Sequence, residues 1–92
     1  MERLDESEIA RRLEGSHWGR DGDAITREFE REDFVDAIAF VERVADLAQA
    51  ADHHPDILVH SYNKVRFTLS THAAGGITDR DFVLAAQIDA TS

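Results

Sequence analysis

The feature that most constrains the fold is the abrupt end of the longest apolar periodicity in the chain. Apolar residues recur at helical spacing from Asp33, a candidate N-cap, to about Ala51. Pro55 then disfavours helical geometry at the residue before it and cannot continue the helical hydrogen-bond ladder. The segment is therefore predicted to be a long helix that ends near Asp52, within the run Asp52-His53-His54-Pro55-Asp56.

The apolar face of this predicted helix is wide. Its residues form one stripe of Phe34, Ile38, Val41, Ala45 and Ala48 and an adjoining stripe of Ala37, Phe40, Val44 and Leu47. Two adjoining stripes are wider than the face that a single sheet covers. We therefore expect the stripe that the sheet leaves uncovered to pack on another subunit. The alternative is a thick core within one chain that buries both stripes. A chain of 92 residues buries only a modest fraction of its surface, which also favours association with copies of itself.

Shorter patterns predict the elements around this helix. A narrow apolar stripe on residues 5–14, followed by Gly15, indicates a surface helix. Asp21-Gly22-Asp23 supplies hairpin turn chemistry between a strand that starts at Trp18 and a second strand. Alternating apolar and polar residues place the other strands at 24–30, at 56–62 and, after Asn63 at a turn, at 64–72.

The last part of the chain is predicted to contain a loop and a helix. The final strand places Thr71 on its apolar side and His72 in line with its polar face, and residues 73–77, with two glycines, indicate a flexible loop. Thr78 is a candidate N-cap with Asp81 at the third helical position, opening a helix to about Asp89. The side chains expected to face the sheet are Phe82, Ala85, Ala86 and Ile88.

The predicted order is α-β-β-α-β-β-α in a single domain spanning residues 1–92. Hydrophobic residues make up 42% of the chain, enough for one core. The fold class is therefore predicted as α+β, a four-stranded antiparallel sheet with three helices on one face.

Composition excludes several classes of function. The chain has 19 acidic and 10 basic residues, a net charge of −9, which repels phosphate backbones and anionic membranes. Its basic residues are nine Arg and one Lys, which indicates either adaptation to high salt or an ordinary acidic bacterial protein. Without an apolar run of membrane-spanning length or a leader-like start, we expect a cytoplasmic protein. The absence of cysteine excludes disulfides, thiolate metal sites and a cysteine nucleophile.

Three histidines, His53, His54 and His72, are the candidate catalytic residues. Adjacent histidines point in different directions on any regular backbone, so a double histidine before a proline is typical of a site and not of a core. Imidazole is the unperturbed side chain that titrates near neutral pH, which favours proton transfer on a small polar substrate. Three aspartates could hold an imidazole in one tautomer, namely Asp52, Asp56 and Asp81.

Other readings of these residues remain open. Three histidines and an aspartate could bind zinc, although adjacent histidines lack the i, i+4 spacing of helical zinc sites. His17 and His60 have no similar surroundings and are predicted to be surface or strand residues. Asp81 also fits a capping residue, a role that is compatible with a functional one.

The run Asp52-His53-His54-Pro55, the aromatic Tyr62, His72 and Asp81 resemble the signature of the pterin-4a-carbinolamine dehydratase family, which includes the dimerization cofactor of a liver homeodomain factor. Further segments similar to that family are Tyr62-Asn63-Lys64-Val65, Leu69-Ser70-Thr71-His72, Trp18 and Asp33-Phe34. The resemblance covers nearly the whole chain, with the first dozen residues least constrained. It implies the same element order in a homodimer or homotetramer.

The resemblance also implies an activity. 4a-Hydroxytetrahydropterin would lose water to give quinonoid dihydropterin, a step that recycles tetrahydrobiopterin for aromatic amino acid hydroxylases, with no metal or organic cofactor. His53 and His72 are implied as the acid/base pair. Residues implied to bind or orient the pterin are His54, Pro55, Asp81 and Asp52.

One position departs from the family pattern. Four residues before His53 the family usually has an ionisable residue, commonly Glu, whereas this chain has Gln49. A neutral amide can hydrogen-bond but cannot lower the cost of an imidazolium, so weaker activity is expected unless Asp52 compensates. The alternatives are an oligomerisation or assembly partner of an aromatic amino acid hydroxylase or another protein, or an enzyme for another pterin, such as one linked to molybdopterin metabolism.

Overall fold

A computed structural model describes residues 2–92, and its elements follow the predicted order. They are α1 (Glu6–Leu13), β1 (Gly19–Asp21), β2 (Ala24–Glu30), α2 (Phe34–Ala51), β3 (Asp56–His60), β4 (Lys64–Leu69), a 3₁₀ turn (His72–Ala74) and α3 (Asp79–Thr91). Over these residues, no helix combines the length and the apolar character that crossing a membrane requires.

The four strands form one antiparallel sheet in the order β1-β2-β4-β3. Strands β2 and β4 pair from Ile25 opposite Leu69 to Glu30 opposite Lys64. Strand β3 pairs with β4 and lies at the edge of the sheet, so its outer side is open in a single chain. The predicted α+β fold is confirmed, with its four-stranded antiparallel sheet and three helices.

The core lies between the sheet and the helices. Strand alternation turns the apolar residues of β2 and β4 to one face, where residues from all three helices cover them. The rings of Phe29, Phe40 and Phe67 meet edge to face, with centroids 5.0 to 5.8 Å apart. This is a favoured geometry for aromatic rings, and each buried side chain of this size contributes about 1.5–3 kcal/mol by leaving water.

Helix α2 begins and ends where predicted. Asp33 caps it by accepting a hydrogen bond from the backbone N–H of Asp36 at 2.8 Å, and Asp52 closes it with a left-handed φ of 50°. The second predicted stripe faces the core, with Ala37, Phe40 and Val44 buried and Leu47 packed against them. In the first stripe Ala48 is buried and Val41 packs on the core, whereas Phe34 is 54% exposed and Ala45 is also exposed, so a single chain covers this stripe only in part.

Strand β4 ends at Leu69, earlier than the predicted end at His72. Thr71 and Gly76 form an isolated antiparallel bridge, in which Thr71 N donates to Gly76 O at 2.9 Å, and Gly75 takes a φ of 74°. This reversal places His72 at the start of the 3₁₀ turn, so the prediction of His72 on a strand face is wrong. The predicted flexible loop at 73–77 contains the last two residues of the turn and one side of this bridge.

Three further details differ from the prediction. Strand β1 begins at Gly19 and not at Trp18, which is buried just before it. Strand β3 ends at His60 because Ser61-Tyr62 takes left-handed φ angles of 50° and 57°, which cannot continue a strand. Ala86 is exposed because it lies on the outer side of α3, and it does not face the sheet.

Candidate functional site

The turn after α2 fixes the position of His53. The backbone N–H of His53 donates to the carbonyl oxygen of Ala48 at 3.1 Å, and that of Asp52 donates to Gln49 at 3.2 Å. These bonds satisfy carbonyl groups that the end of a helix leaves without partners. With the chain turning at the left-handed Asp52, the His53 side chain is buried, at 8% exposure.

Asp81 lies beside His53 in the interior. Its Oδ1 is 2.6 Å from His53 Nε2, and its side chain is 0% exposed. Asp81 and Thr78 form the capping box of α3, as predicted, since Asp81 Oδ2 accepts from the backbone N–H of Thr78 at 2.9 Å. The carboxylate and imidazole therefore form a buried hydrogen-bonded pair, an arrangement that orients a histidine for proton transfer.

Two threonines complete this buried cluster. Thr71 Oγ1 donates to Asp81 Oδ2 at 2.9 Å and lies 2.8 Å from Thr78 Oγ1. Both threonines are buried. The alternation of the last strand predicts only that Thr71 lies on its apolar side. The contact of Thr71 with Asp81 follows from the bridge that brings the chain back toward α3.

Arg80 joins the two helices at this site, and sequence reasoning missed it. Its Nη2 donates to the carbonyl oxygens of Ala51, at 2.9 Å, and Asp52, at 2.7 Å. Positive charge is favoured at a helix C-terminus, where carbonyl groups lack partners. The last turn of α2 has no basic residue of its own, so Arg80 supplies the positive charge there from α3.

His54 and Pro55 lie on the same turn. His54 is exposed, and its Nε2 is 3.1 Å from the side-chain oxygen of Gln49. Pro55 is half-buried. The residue that departs from the family pattern, Gln49, therefore contacts His54, and its amide oxygen is an acceptor for an imidazole N–H.

The other predicted site residues are more exposed. The His72 side chain lies at the surface and makes no hydrogen bond within residues 2–92, although the adjacent Thr71 bonds to Asp81. The side chains of Asp52 and Asp56 are exposed as well, and in the described part of the chain neither forms a hydrogen bond or ion pair with an imidazole. The structure thus joins Asp81 to His53 directly and leaves His54 and His72 at the surface.

His53 lines a cavity of about 210 Å³ between the end of α2 and α3. Its other walls are Ala51, Asp79, Arg80, Val83, Leu84 and Gln87. A larger cavity of about 400 Å³ lies beside Arg3, Arg20 and Gly76, and no histidine lines it. The smaller cavity is therefore the one that places space next to the buried imidazole.

The remaining histidines lie outside this site. His17 is exposed, and His60 Nε2 lies 2.5 Å from Glu28 Oε1 on the open face of the sheet. That hydrogen bond holds the pKa of Glu28 below its ordinary value, with Arg66 adding to the effect. Across residues 2–92 no three histidine, aspartate or glutamate side chains are grouped closely enough to hold a metal ion, so the zinc reading has no ligand set there.

Known proteins resemble nearly the whole chain. A family model described as pterin 4 alpha carbinolamine dehydratase matches residues 2–91. A Chloroflexus aurantiacus protein, provisionally named pterin-4-alpha-carbinolamine dehydratase, is 52% identical over 90 residues, which cover 97% of this chain and 96% of that protein. A Thermomicrobium roseum protein with the same provisional name is 51% identical over 89 residues, covering 96% and 95%.

Two solved structures share the fold. A crystal structure of a transcriptional coactivator/pterin dehydratase from Brucella melitensis has a TM-score of 0.90 and 37% identity, covering 97% of each chain. A pterin dehydratase-like protein, identified as a RuBisCO assembly factor in the alpha-carboxysome, has a TM-score of 0.64 and 21% identity, covering 80% of this chain and 84% of that one. At that identity the second likeness concerns the fold alone.

Proposed function

The chain belongs to the pterin-4a-carbinolamine dehydratase family, and from this premise we propose that it removes water from 4a-hydroxytetrahydropterin. In this reaction the bond between C4a and the hydroxyl oxygen breaks, and the oxygen takes a proton and leaves as water. The neighbouring ring nitrogen loses its proton, and the freed electron pair forms the C=N double bond of quinonoid dihydropterin. The step needs one acid and one base within reach of the substrate.

His53 and His72 are the proposed acid/base pair. The observation that carries the proposal is the buried contact of 2.6 Å between His53 Nε2 and Asp81 Oδ1. A histidine held in this way by a carboxylate has a fixed orientation and one nitrogen left for chemistry. Asp81 is proposed to orient His53 without touching substrate, because both of its oxygens already accept hydrogen bonds inside the protein.

The proposed contacts with the pterin come from the turn after α2. His54, Asp52 and Pro55 lie together on this turn, and the first two are exposed and accessible to a ligand. His72 is exposed too, so its imidazole is accessible to a substrate that binds at the surface. Recycling of tetrahydrobiopterin for a hydroxylase is the proposed role of this activity.

The test is the spectrophotometric dehydration of synthetic 4a-hydroxytetrahydropterin by wild type, His53→Ala and His72→Ala. Loss of an acid or base is expected to lower the rate by about 10²- to 10⁴-fold in each variant. His17→Ala is the matched control, because His17 is exposed and lies outside the site, and it should keep the wild-type rate. A wild-type rate equal to the spontaneous reaction would refute the proposal, and dehydration of a different pterin carbinolamine would redirect it to another substrate.

A second candidate function is that of an oligomerisation or assembly partner. It is favoured by a groove of about 240 Å³ at the start of α2, lined by Phe34, Val35, Ile38, Ala39 and Glu42. Val35 is 76% exposed, an unusual surface position for an apolar residue. Under this function His53→Ala leaves partner binding unchanged, whereas Phe34→Lys abolishes it.

A homodimer or homotetramer is also proposed. Two apolar surfaces support it, the groove at the start of α2 and the open edge of β3, where Ile57 and Leu58 are 38% and 48% exposed. An unpaired edge strand with exposed apolar side chains is a template for pairing with a second chain. Sedimentation of Phe34→Lys and Leu58→Lys tests which surface is used.

The cytoplasmic location stays a prediction from the sequence.

A further inference from the structure

The hydrogen bonds at Asp81 Oδ2 have a fixed direction. The backbone N–H of Thr78 can only donate, and Asp81 Oδ2 accepts it at 2.9 Å together with the hydroxyl of Thr71 at 2.9 Å. An ionised carboxylate is an acceptor at both oxygens, so the 2.6 Å contact of Oδ1 with His53 requires a proton on His53 Nε2. A protonated carboxyl would instead require Nε2 to accept.

The two threonine hydroxyls follow the same order. Each hydroxyl has one proton, and Thr71 donates its proton to Asp81. In the 2.8 Å contact between the two hydroxyls, Thr78 is therefore the donor and Thr71 the acceptor. The oxygen of Thr78 is then an acceptor, and it accepts from the backbone N–H of Arg80 at 3.3 Å as the N-cap of α3. Every donor in this chain of bonds is matched to an acceptor.

The second nitrogen of His53 is available. Within residues 2–92, His53 Nδ1 makes no hydrogen bond, and no side-chain nitrogen or oxygen there is both buried and without a partner. Nδ1 therefore keeps some contact with open space, and His53 lines the cavity of about 210 Å³ beside α3.

We propose that Thr71 and Thr78 are positioning residues that act through Asp81 to hold the proton of neutral His53 on Nε2, so that Nδ1 is the nitrogen that exchanges a proton with the substrate. The assignment of the proton depends only on the resting protein. The role of Nδ1 toward a pterin rests on the proposed dehydratase function.

The first experiment measures the ¹⁵N shifts of His53 in protein labelled with ¹⁵N-histidine, without substrate and at a pH where imidazoles are neutral. The signals of His53 are assigned by their loss in His53→Gln. Wild type is expected to show a protonated Nε2 and an unprotonated Nδ1. A proton on Nδ1 in wild type would overturn the proposal.

Asp81→Asn gives a sharper form of this test. Because the backbone N–H of Thr78 can only donate, the amide oxygen takes the place of Oδ2 and the amide NH₂ faces His53 Nε2. Nε2 must then accept, and the proton is expected to move to Nδ1, with a loss of activity of the kind seen when a catalytic histidine has the wrong tautomer. An unchanged tautomer in a folded variant would show that Asp81 does not control the proton.

Thr71→Val and Thr71→Ser test the role of the hydroxyl. Valine keeps the shape but removes the donor to Asp81, and it is expected to lower kcat about tenfold with little change in KM, as loss of a supporting partner does. Serine restores the donor and is expected to restore kcat. Equal rates in both variants would overturn the positioning role of Thr71. Absence of any wild-type dehydration would overturn the role of Nδ1 toward a pterin, while a protonated Nε2 in the resting protein would still support the assignment of the proton.

Discussion

The guanidinium of Arg80 lies 2.7 Å from the carbonyl oxygen of Asp52 and joins the first turn of α3 to the end of α2. The next residue on α3, Asp81, holds the side chain of His53 on the same turn. Successive residues of one helix thus fix both the backbone and the side chain of the other segment. The candidate site therefore depends on how the start of α3 packs against the end of α2.

Arg80→Gln is expected to lower the free energy of unfolding by about 1–2 kcal/mol, because two carbonyl groups lose a charged donor. If the proposed function is right, kcat falls too, since the turn that bears His53 is loosened. Urea unfolding measures the first effect. Arg43→Gln is the control. Arg43 makes a long hydrogen bond of 3.5 Å to the carbonyl of Thr91 and lies 5.6 Å from the centre of the Phe40 ring, so its loss should cost under about 1 kcal/mol. Equal losses in the two variants would contradict the anchoring role of Arg80.

Gln49→Glu tests the departure from the family pattern. Gln49 lies 3.1 Å from His54 Nε2, so a carboxylate there would gain an ion pair with protonated His54. Because the pair is exposed, its value is about 0.2–1 kcal/mol, which corresponds to a rise in dehydration rate of no more than about fivefold. Gln49→Ala, which leaves His54 without this partner, should be no faster than wild type. A slower Gln49→Glu enzyme would show that the amide is the better partner here.

Tyr62→Asn is expected to raise the free energy of unfolding by about 0.5–1 kcal/mol. Tyr62 has a φ of 57°, which is strained for a bulky residue, whereas asparagine tolerates this region. Its ring is 65% exposed, so little packing is lost. Tyr62→Phe keeps the strain and should match wild type in thermal unfolding. Because Tyr62 belongs to the family signature, the stabilised Tyr62→Asn variant should also lose activity or assembly. Full retention of both would mean that the backbone strain at Tyr62 is needed for neither activity nor assembly.

Acid stability should depend on Glu8. Hydrogen bonds from Arg11 and Arg12 lower the pKa of Glu8 to about 2 from its ordinary value of 4.5. A lowered folded-state pKa means that the contribution is present above about pH 4.5 and is lost as the pH falls toward about 2. Unfolding free energy of wild type should decline through this window, and Glu8→Gln should flatten part of the decline. Glu14→Gln, near the other end of α1, should keep the wild-type slope, and the effect should shrink in salt because Glu8 is partly exposed.

Local chemistry explains which parts of this site could be predicted. Pro55 and the Thr78 cap act on their own neighbours, so the end of α2 and the place of Asp81 at the start of α3 followed from short stretches of sequence. Alternation also placed Thr71 correctly on the inner side, where it is buried. The same alternation predicts a strand that continues to His72, which is three residues too long. Alternating apolar and polar residues do not indicate that the chain reverses between Thr71 and Gly76.

The contacts that were missed depend on how separate elements pack. Arg80 meets the carbonyl of Asp52 across 28 residues of sequence, and nothing in either segment alone indicates that the two helix ends approach each other. The width of the apolar face of α2 was visible in the sequence. Which of its stripes faces the sheet was not, since Ala37 and Phe34 both belong to plausible helix faces and only packing distinguishes them.

Assembly should depend on salt if the acidic surface reflects life at high ionic strength. A charge of −9 per chain accumulates in an oligomer, and screening over about 10 Å at 0.1 M salt removes much of the resulting repulsion. Sedimentation velocity at about 10 mM and about 1 M NaCl is expected to show dissociation at low salt and recovery at high salt. Glu42 lines the apolar groove of α2, so Glu42→Gln should lower the salt needed for assembly, whereas Glu14→Gln on α1 should change it less. The same oligomer at both salt concentrations would contradict adaptation to high salt and leave the ordinary acidic protein as the explanation, because repulsion would then be too weak to oppose the buried apolar surface.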